Sequence, residues 1–128
     1  RVLFRSEEPK MKLFDSEWKV MEVLWQEGDT TAKALSLRLA DSAGWNKNTT
    51  YTVIKKCIEK GAIERQEPSF LCHACITKEA AQREEADALL DKVFGGSAEL
   101  LFASVLSGRK LKKEELERLR ALVEEQEA

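Results

Sequence analysis

Three glycines divide the first half of the chain into short segments, and their spacing constrains the fold more than any other feature of the sequence. Gly28, Gly44 and Gly61 each follow a stretch in which apolar residues recur at helical spacing. Glycine adopts the left-handed conformation that commonly ends a helix, so each one predicts a helix C-terminus. The sequence therefore predicts three short helices joined by tight turns, the first of them beginning near Asp15.

The third predicted helix, from about Asn48 to Lys60, has two chemically different faces. On a helical wheel its apolar face consists of Thr50, Val53, Ile54, Cys57 and Ile58. The opposite face is polar and basic, and it consists of Asn48, Tyr51, Thr52, Lys55, Lys56 and Glu59. We therefore expect one side of this helix to enter a core while the other side meets solvent or a partner.

After Gly61 the periodicity changes from helical to alternating. Residues 62–66 and 70–76 predict two strands, and residues 67–69 predict the turn between them. Three helices followed by a hairpin is the element order of a winged helix-turn-helix domain, whose third helix enters the major groove of DNA. The predicted fold is mainly α with a small β-hairpin, and the hairpin forms the wing.

The remainder of the chain is helical again and rich in apolar residues. Helices are predicted over residues 78–94 and 97–106 and from residue 112 to the C-terminus. Three helices beside a small domain cannot bury so many apolar side chains, so we expect a second copy of the chain to cover them. The predicted dimerisation residues are Leu89, Leu90, Val93, Phe94, Leu100, Leu101, Val105, Leu106, Leu116, Leu119, Leu122 and Val123.

The sequence divides into three predicted regions. Residues 1–10 are expected to be a flexible arm or a non-native remnant, residues 11–76 a winged helix-turn-helix DNA-binding domain, and residues 77–128 a helical dimerisation domain. No run approaches the roughly 18 consecutive apolar residues of a membrane span, and no secretory signal pattern is present. We expect a cytoplasmic protein with no membrane insertion.

Net charge alone does not favour nucleic-acid binding. The chain has 21 Lys and Arg against 23 Asp and Glu, a formal net charge of -2, whereas nucleic-acid-binding domains are usually basic. Between Lys47 and Lys60, however, four lysines oppose Glu59 alone. Their amines can bind phosphates or a guanine edge, and the Asn, Thr and Tyr side chains beside them can hydrogen-bond to bases. From the residues alone, a DNA-reading surface and a solvated helix face fit this pattern equally well.

Several separated blocks of the sequence resemble one protein family. The segment EWKVMEVLW at Glu17–Trp25 is similar to the family's opening helix, and Thr31-Ala32 with Leu35 and Leu39 is similar to its second helix. The family's recognition helix is matched by Trp45, Thr49, Thr52, Val53, Ile54 and Lys60-Gly61, and its dimerisation part by Phe94-Gly95-Gly96 and the Leu-rich helices that follow. From Leu13 to Glu125 the chain thus resembles the penicillinase repressor (BlaI/MecI) family of winged helix-turn-helix transcriptional repressors.

The resemblance implies a homodimeric repressor that binds double-stranded operator DNA of palindromic sequence. Such a repressor blocks transcription of antibiotic-resistance or stress-response genes until an inducing signal releases it. Thr49, Thr52 and Lys56 fall where the family touches DNA, with Asn48 and Tyr51 at neighbouring positions. The full predicted DNA-binding set is Thr31, Lys47, Asn48, Thr49, Tyr51, Thr52, Lys55 and Lys56. No cofactor is implied.

Two departures from the family's pattern affect the first helix and the wing. Phe14 stands where a capping Ser or Thr is usual, although Glu17 and the alternative cap Asp15 remain. Ser69 and Phe70 replace a small-basic wing tip. We therefore expect weaker phosphate contacts from the wing than the family makes.

A third departure concerns release from DNA. Members of the family are often released when a membrane-sensor protease cleaves the helix that follows the double glycine. The corresponding bond here lies near Ser104 and Val105, where the family's Asn-Phe pair is missing. Release by proteolysis, ligand, metal or thiol oxidation therefore stays open.

Cys72, His73 and Cys75 raise the hypothesis of a metal- or thiol-responsive repressor. Thiolate and imidazole are good zinc and copper ligands. If these residues continue a strand, Cys72 and Cys75 point to opposite faces, whereas His73 and Cys75 share one face. One ion then cannot take both thiolates without a turn between them. We favour a structural role for the cysteines, with Cys57 as a small core residue, and keep the switch as an alternative.

The sequence bears differently on two other functional classes, an enzyme and a protein-interaction module. In the sequence the single His has no nearby carboxylate or Ser arrangement, and there is no phosphate-cradling glycine loop or nucleophile elbow, so no enzymatic activity is predicted. A winged-helix protein-interaction module that does not bind DNA is the stronger alternative, because the net charge is negative and the wing is not basic.

Overall fold

The computed structural model describes residues 11–128, and the arm predicted at residues 1–10 lies outside the described residues. The helices are α1 (Asp15–Glu27), α2 (Ala32–Ala43), α3 (Lys47–Lys60), α4 (Lys78–Phe94), α5 (Ala98–Gly108) and α6 (Lys113–Gln126). The strands are β1 (Thr30–Thr31), β2 (Ile63–Gln66) and β3 (Leu71–Ala74). The described residues form two units, one ending at Ala86 and the other spanning Asp87–Ala128.

Glycines end α1, α2 and α3 at the predicted positions. At Gly44 and Gly61 the backbone is left-handed, with φ of 69° and 88°, and the glycine N–H donates to a carbonyl of the last turn. Polar side chains cap the starts of three helices: Thr31 accepts from Ala34 N in α2, Asn46 from Thr49 N in α3 and Ser97 from Leu100 N in α5. These caps confirm the predicted helix order, although α3 begins at Lys47, one residue earlier than expected.

The residue that precedes helix α1 does not cap it with a side-chain hydrogen bond. Phe14 is the cap residue, and Asp15, the alternative cap considered from the sequence, is already helical. The Glu17 carboxylate instead reaches back and accepts a hydrogen bond from Phe14 N at 2.8 Å. One half of the expected capping box is therefore present, and it depends on a carboxylate that is only 1% exposed.

The sheet has three antiparallel strands in the order β1-β3-β2. Strand β3 pairs on one edge with β2, where Ile63 lies opposite Ala74, and on the other edge with β1, where Thr30 lies opposite Cys72. The sequence did not predict β1, because a two-residue strand has no periodicity of its own. Strand β3 is also shorter than the predicted 70–76. Phe70 has a φ of +54° and cannot belong to the extended backbone, and the strand ends at Ala74.

One core joins the first three helices to the sheet. Its buried hydrophobic residues are Leu13, Val20, Met21, Val23, Leu24, Ala32, Leu35, Leu39, Val53, Ile54, Cys57, Ala62, Ile63, Cys72, Ile76 and Ala81. Trp18 and Trp25 pack on this core edge to face, with ring centroids 5.3 Å apart. The Trp25 indole N–H donates to Ile76 O at 2.8 Å and so ties α1 to the segment that follows the sheet.

An ion pair within this unit joins the start of α1 to the end of α3. The Lys60 ammonium donates to the Glu17 carboxylate and to Lys12 O, and it lies 4.1 Å from the centroid of the Phe14 ring. The Glu17 side chain is 1% exposed and that of Lys60 26%. Because the carboxylate is removed from water, it needs this ammonium and the Phe14 N–H to offset its lost hydration.

The second unit contains the end of α4 with α5 and α6, and it buries little of its apolar surface within one chain. No residue of α5 or α6 is buried. The large apolar side chains exposed there are Leu89, Val93, Leu100, Phe102, Val105, Leu106, Leu116, Leu122 and Val123. None of the helices in the described part of the chain is both long and apolar enough to cross a membrane.

Replacing Lys60 by Met should lower the free energy of unfolding by on the order of 3 kcal/mol, because the Glu17 carboxylate is left buried without a counter-charge. Glu17→Gln should cost less, since an amide at this position can still bind the Phe14 N–H and carries no charge. Urea denaturation measures both changes. Lys55→Met is the matched control on the exposed face of α3, and equal stabilities of the Lys60 and Lys55 variants would contradict the importance of the ion pair.

Candidate nucleic-acid interface

The outward face of α3 is exposed along its length. The inward side chains of Thr50, Val53, Ile54 and Cys57 are buried and pack the helix against α1, α2 and β2. The exposed side chains are those of Lys47, Asn48, Thr49, Thr52, Lys55, Lys56 and Glu59. The two faces predicted from the sequence are therefore confirmed, and the core fixes which side of α3 faces outward.

Apart from Glu59, the charged side chains on this face are lysines, and none of them is held in an ion pair with another described residue. Within residues 11–128, none of Lys47, Lys55 and Lys56 lies within ion-pair distance of a carboxylate. Lys60, in contrast, is engaged inside the fold by Glu17. The exposed lysines thus present ammonium groups that can bind anions such as phosphate without first breaking an ion pair.

Thr31, the one predicted DNA-binding residue outside α3, lies at the junction of β1 and α2. Its hydroxyl accepts a hydrogen bond from Ala34 N at 3.1 Å and so caps α2. The residue is half-buried, and its backbone pairs with Leu71 of β3. The hydroxyl proton is still free to be donated, so capping and an outward hydrogen bond are compatible.

Tyr51 differs from its exposed neighbours on α3 because its ring packs against the wing. The ring lies edge to face with Phe70, with centroids 5.8 Å apart and an interplanar angle of 84°. The guanidinium of Arg65 stacks over Phe70 at 3.7 Å, and the Lys47 ammonium lies 5.6 Å from the Tyr51 centroid. The sequence did not identify Arg65 and Phe70 as residues that contact this face. Periodicity and spacing do not show which residue of a strand packs against which residue of a helix elsewhere in the chain.

The three cysteines lie in different surroundings. Cys57 and Cys72 are buried in the core, whereas Cys75 is exposed. Burial, followed by the charge of Glu17, raises the pKa of Cys57 to about 12, and burial raises that of Cys72 to about 11. Burial and then Glu64 also raise the pKa of Cys75. Burial therefore disfavours the thiolate form of these cysteines, most strongly at Cys57 and Cys72, and of the three only Cys75 is exposed to reagents.

Cys72, His73 and Cys75 are arranged as the strand geometry predicts. Cys72 points into the core, while His73 and Cys75 are exposed. His73 Nδ1 lies 2.8 Å from the Asp29 carboxylate, in a contact between the wing and the turn after α1. Asp29 is distant from this His in the chain, so the sequence did not show a carboxylate near it. Among the described residues, no group of three or more His, Cys, Asp or Glu side chains is placed to hold a metal ion.

Native alkylation with iodoacetamide should modify Cys75 first, and Cys57 and Cys72 only when the fold opens. The reaction at Cys75 should accelerate as pH rises, because only the thiolate attacks and its pKa is raised. Peptide mass spectrometry locates the modified residue. A Cys75→Ser variant should lose the fast reaction, and equally fast labelling of Cys57 would contradict the burial described here.

The fold and this face together define a winged helix-turn-helix protein. Three helices, a three-stranded sheet and a wing hold an exposed polar and basic face on the third helix. The sequence profile of the penicillinase repressor family matches residues 13–125. The chain belongs to the penicillinase repressor family.

The chain is also similar to individual proteins and solved structures. A penicillinase repressor of Staphylococcus aureus is 23% identical over 110 residues, which cover 84% of this chain and 87% of that protein. The solution structure of the DNA-binding domain of the repressor BlaI is similar with a TM-score of 0.52 and 21% identity, over 57% of this chain and 92% of that domain. The structure of NMB1585, a MarR family regulator from Neisseria meningitidis, matches with 21% identity and a TM-score of 0.40. The match covers 89% of this chain and 78% of that chain.

Proposed function

We propose that the chain is a homodimeric transcriptional repressor that binds a palindromic operator in double-stranded DNA until an inducing signal releases it. The observation that carries the proposal is the outward face of α3, where exposed lysines stand beside hydrogen-bonding side chains on a helix anchored by its opposite face. Membership of the penicillinase repressor family supports the same function.

The residues of the outward face divide by chemistry into two roles. Asn48, Thr49 and Thr52 are short, and they can hydrogen-bond to base edges or place a Thr methyl against a thymine methyl. The ammonium groups of Lys55 and Lys56 suit phosphates or guanine edges. Thr31 and Lys47, at the starts of α2 and α3, are proposed to bind the phosphates that flank the groove.

Replacing both Lys55 and Lys56 by Ala should weaken DNA binding at least about tenfold. It should also reduce the slope of log K against log salt by about two, because each lost phosphate contact reduces that slope by about one. The probe is a duplex selected by the wild-type protein from a randomised library, and fluorescence anisotropy across a salt series measures both quantities. Thr52→Ala should chiefly reduce the preference for the selected duplex over a mixed-sequence duplex.

Lys19→Ala is the control for this experiment, because Lys19 is exposed on α1 and outside the proposed face. Full binding by the double variant would contradict the assignment of the face. If the wild-type protein bound no duplex with a salt-dependent affinity, the alternative of a protein-interaction module would replace the repressor, since an apolar protein interface changes little with salt.

Dimerisation is proposed to cover the apolar side chains of the second unit. Within one chain Leu106 is 51% exposed and Phe102 57%, and they lie on α5, a helix with apolar residues on most of its surface. Apolar surface of this extent costs free energy in water unless a partner covers it. A second copy related by a two-fold axis also matches a palindromic operator, because each copy then reads one half-site.

Leu106→Asp should shift the protein from dimer to monomer in sedimentation velocity and weaken operator binding by about tenfold or more, since one copy alone reads a single half-site. Leu37→Asp is the matched control, because Leu37 is 66% exposed on α2, in the other unit. A dimer that survives the Leu106 substitution, or a monomeric wild-type protein, would contradict the proposed interface.

Release is proposed to act through the same interface. The bond between Ser104 and Val105 lies inside α5, and both side chains are exposed. Cleavage there by a membrane-sensor protease would divide the proposed dimer surface and leave each copy with one half-site.

A further inference from the structure

Four side chains form a continuous row between the start of the recognition helix and the wing. The Lys47 ammonium lies 5.6 Å from the Tyr51 centroid, the Tyr51 and Phe70 centroids are 5.8 Å apart, and the Arg65 guanidinium lies 3.7 Å above Phe70. Each neighbouring pair is attractive, because cations bind aromatic faces and aromatic rings favour edge-to-face packing. The row joins α3 to a hairpin that follows it in the chain.

Phe70 is the point where this row meets the rest of the fold. Its carbonyl accepts a hydrogen bond from Ala32 N, the first residue of α2, at 2.9 Å. Its φ of +54° is a left-handed backbone conformation that residues other than Gly and Asn rarely adopt. Such a conformation persists only where the surroundings hold it, and here the ring is held between Tyr51 and Arg65.

Between Gly61 and Thr77 the sequence contains one arginine, Arg65, and no lysine. The same stretch contains Glu64 and Glu67. A wing with this composition repels phosphate unless its cation is held toward DNA. The Arg65 contact with Glu67 engages Nε, so the terminal amino groups carry the remaining donors of the guanidinium. Stacking on Phe70 fixes the plane of these donors.

We propose that Tyr51 and Phe70 are positioning residues that hold the wing against the recognition helix and present Arg65 as a phosphate-binding group. Tyr51 then acts through its ring and not through its hydroxyl. The inference rests on the proposed function and assigns phosphate binding to Arg65 and a positioning role to Tyr51 and Phe70. It also supplies an anion-binding group to a wing whose tip is not basic.

The test compares variants on the selected duplex across a salt series. Phe70→Gly removes the ring and keeps the turn, because glycine adopts a positive φ freely. It should lower affinity and reduce the salt slope by about one, as Arg65→Gln should, and the combined variant should reduce the slope no further. This shared loss is the coupling expected if the ring acts through Arg65.

Conservative variants separate positioning from direct contact. Phe70→Tyr and Tyr51→Phe keep both rings and should retain wild-type affinity and salt slope. Tyr51→Leu removes the ring from the helix side, where leucine is compatible with α3, and should repeat the effect of Phe70→Gly. Urea denaturation of each variant shows that the folded protein is being measured.

Three results would overturn the inference. They are a wild-type salt slope in Phe70→Gly, a wild-type salt slope in Arg65→Gln, and a loss of affinity in Tyr51→Phe as large as in Tyr51→Leu. A wild-type protein that bound no duplex would instead overturn the proposed function, so the two failures are distinguishable.

Discussion

The arrangement of the first unit depends on the buried carboxylate of Glu17. It accepts hydrogen bonds from Phe14 N at the start of α1 and from the Lys60 ammonium at the end of α3, and Lys60 lies 43 residues after Glu17 in the chain. A carboxylate 1% exposed to water would be strongly destabilising alone, so its partners must be in place whenever the domain is folded. The pair thereby fixes where the C-terminal end of α3 lies relative to the opening helix.

The same helix uses its lysines in two ways because its faces differ. Lys60 is taken into the fold by Glu17, whereas Lys55 and Lys56, on the opposite side, stay exposed. At its other end the helix meets the wing through Tyr51. Both ends of α3 are therefore held by long-range contacts, which leaves a rigid polar face between them.

Local features of this fold could be predicted from the sequence and long-range ones could not. The helix ends at Gly44 and Gly61 and the two faces of α3 follow from periodicity and backbone preference, which neighbouring residues determine. Strand β1 and the Tyr51–Phe70 contact depend on which distant segments meet. The left-handed Phe70 was also beyond sequence reasoning, since its residue type argues against that conformation.

The positions of the tryptophans give the two units different optical signals. Trp18, Trp25 and Trp45 are the three tryptophans of the chain, and all lie in the unit that ends at Ala86. Indole emission therefore follows that unit alone, whereas far-ultraviolet circular dichroism also senses α5 and α6. If the two signals are lost at different denaturant concentrations, the protein unfolds in two steps. If the second step also shifts with protein concentration, it includes the dissociation of associated copies.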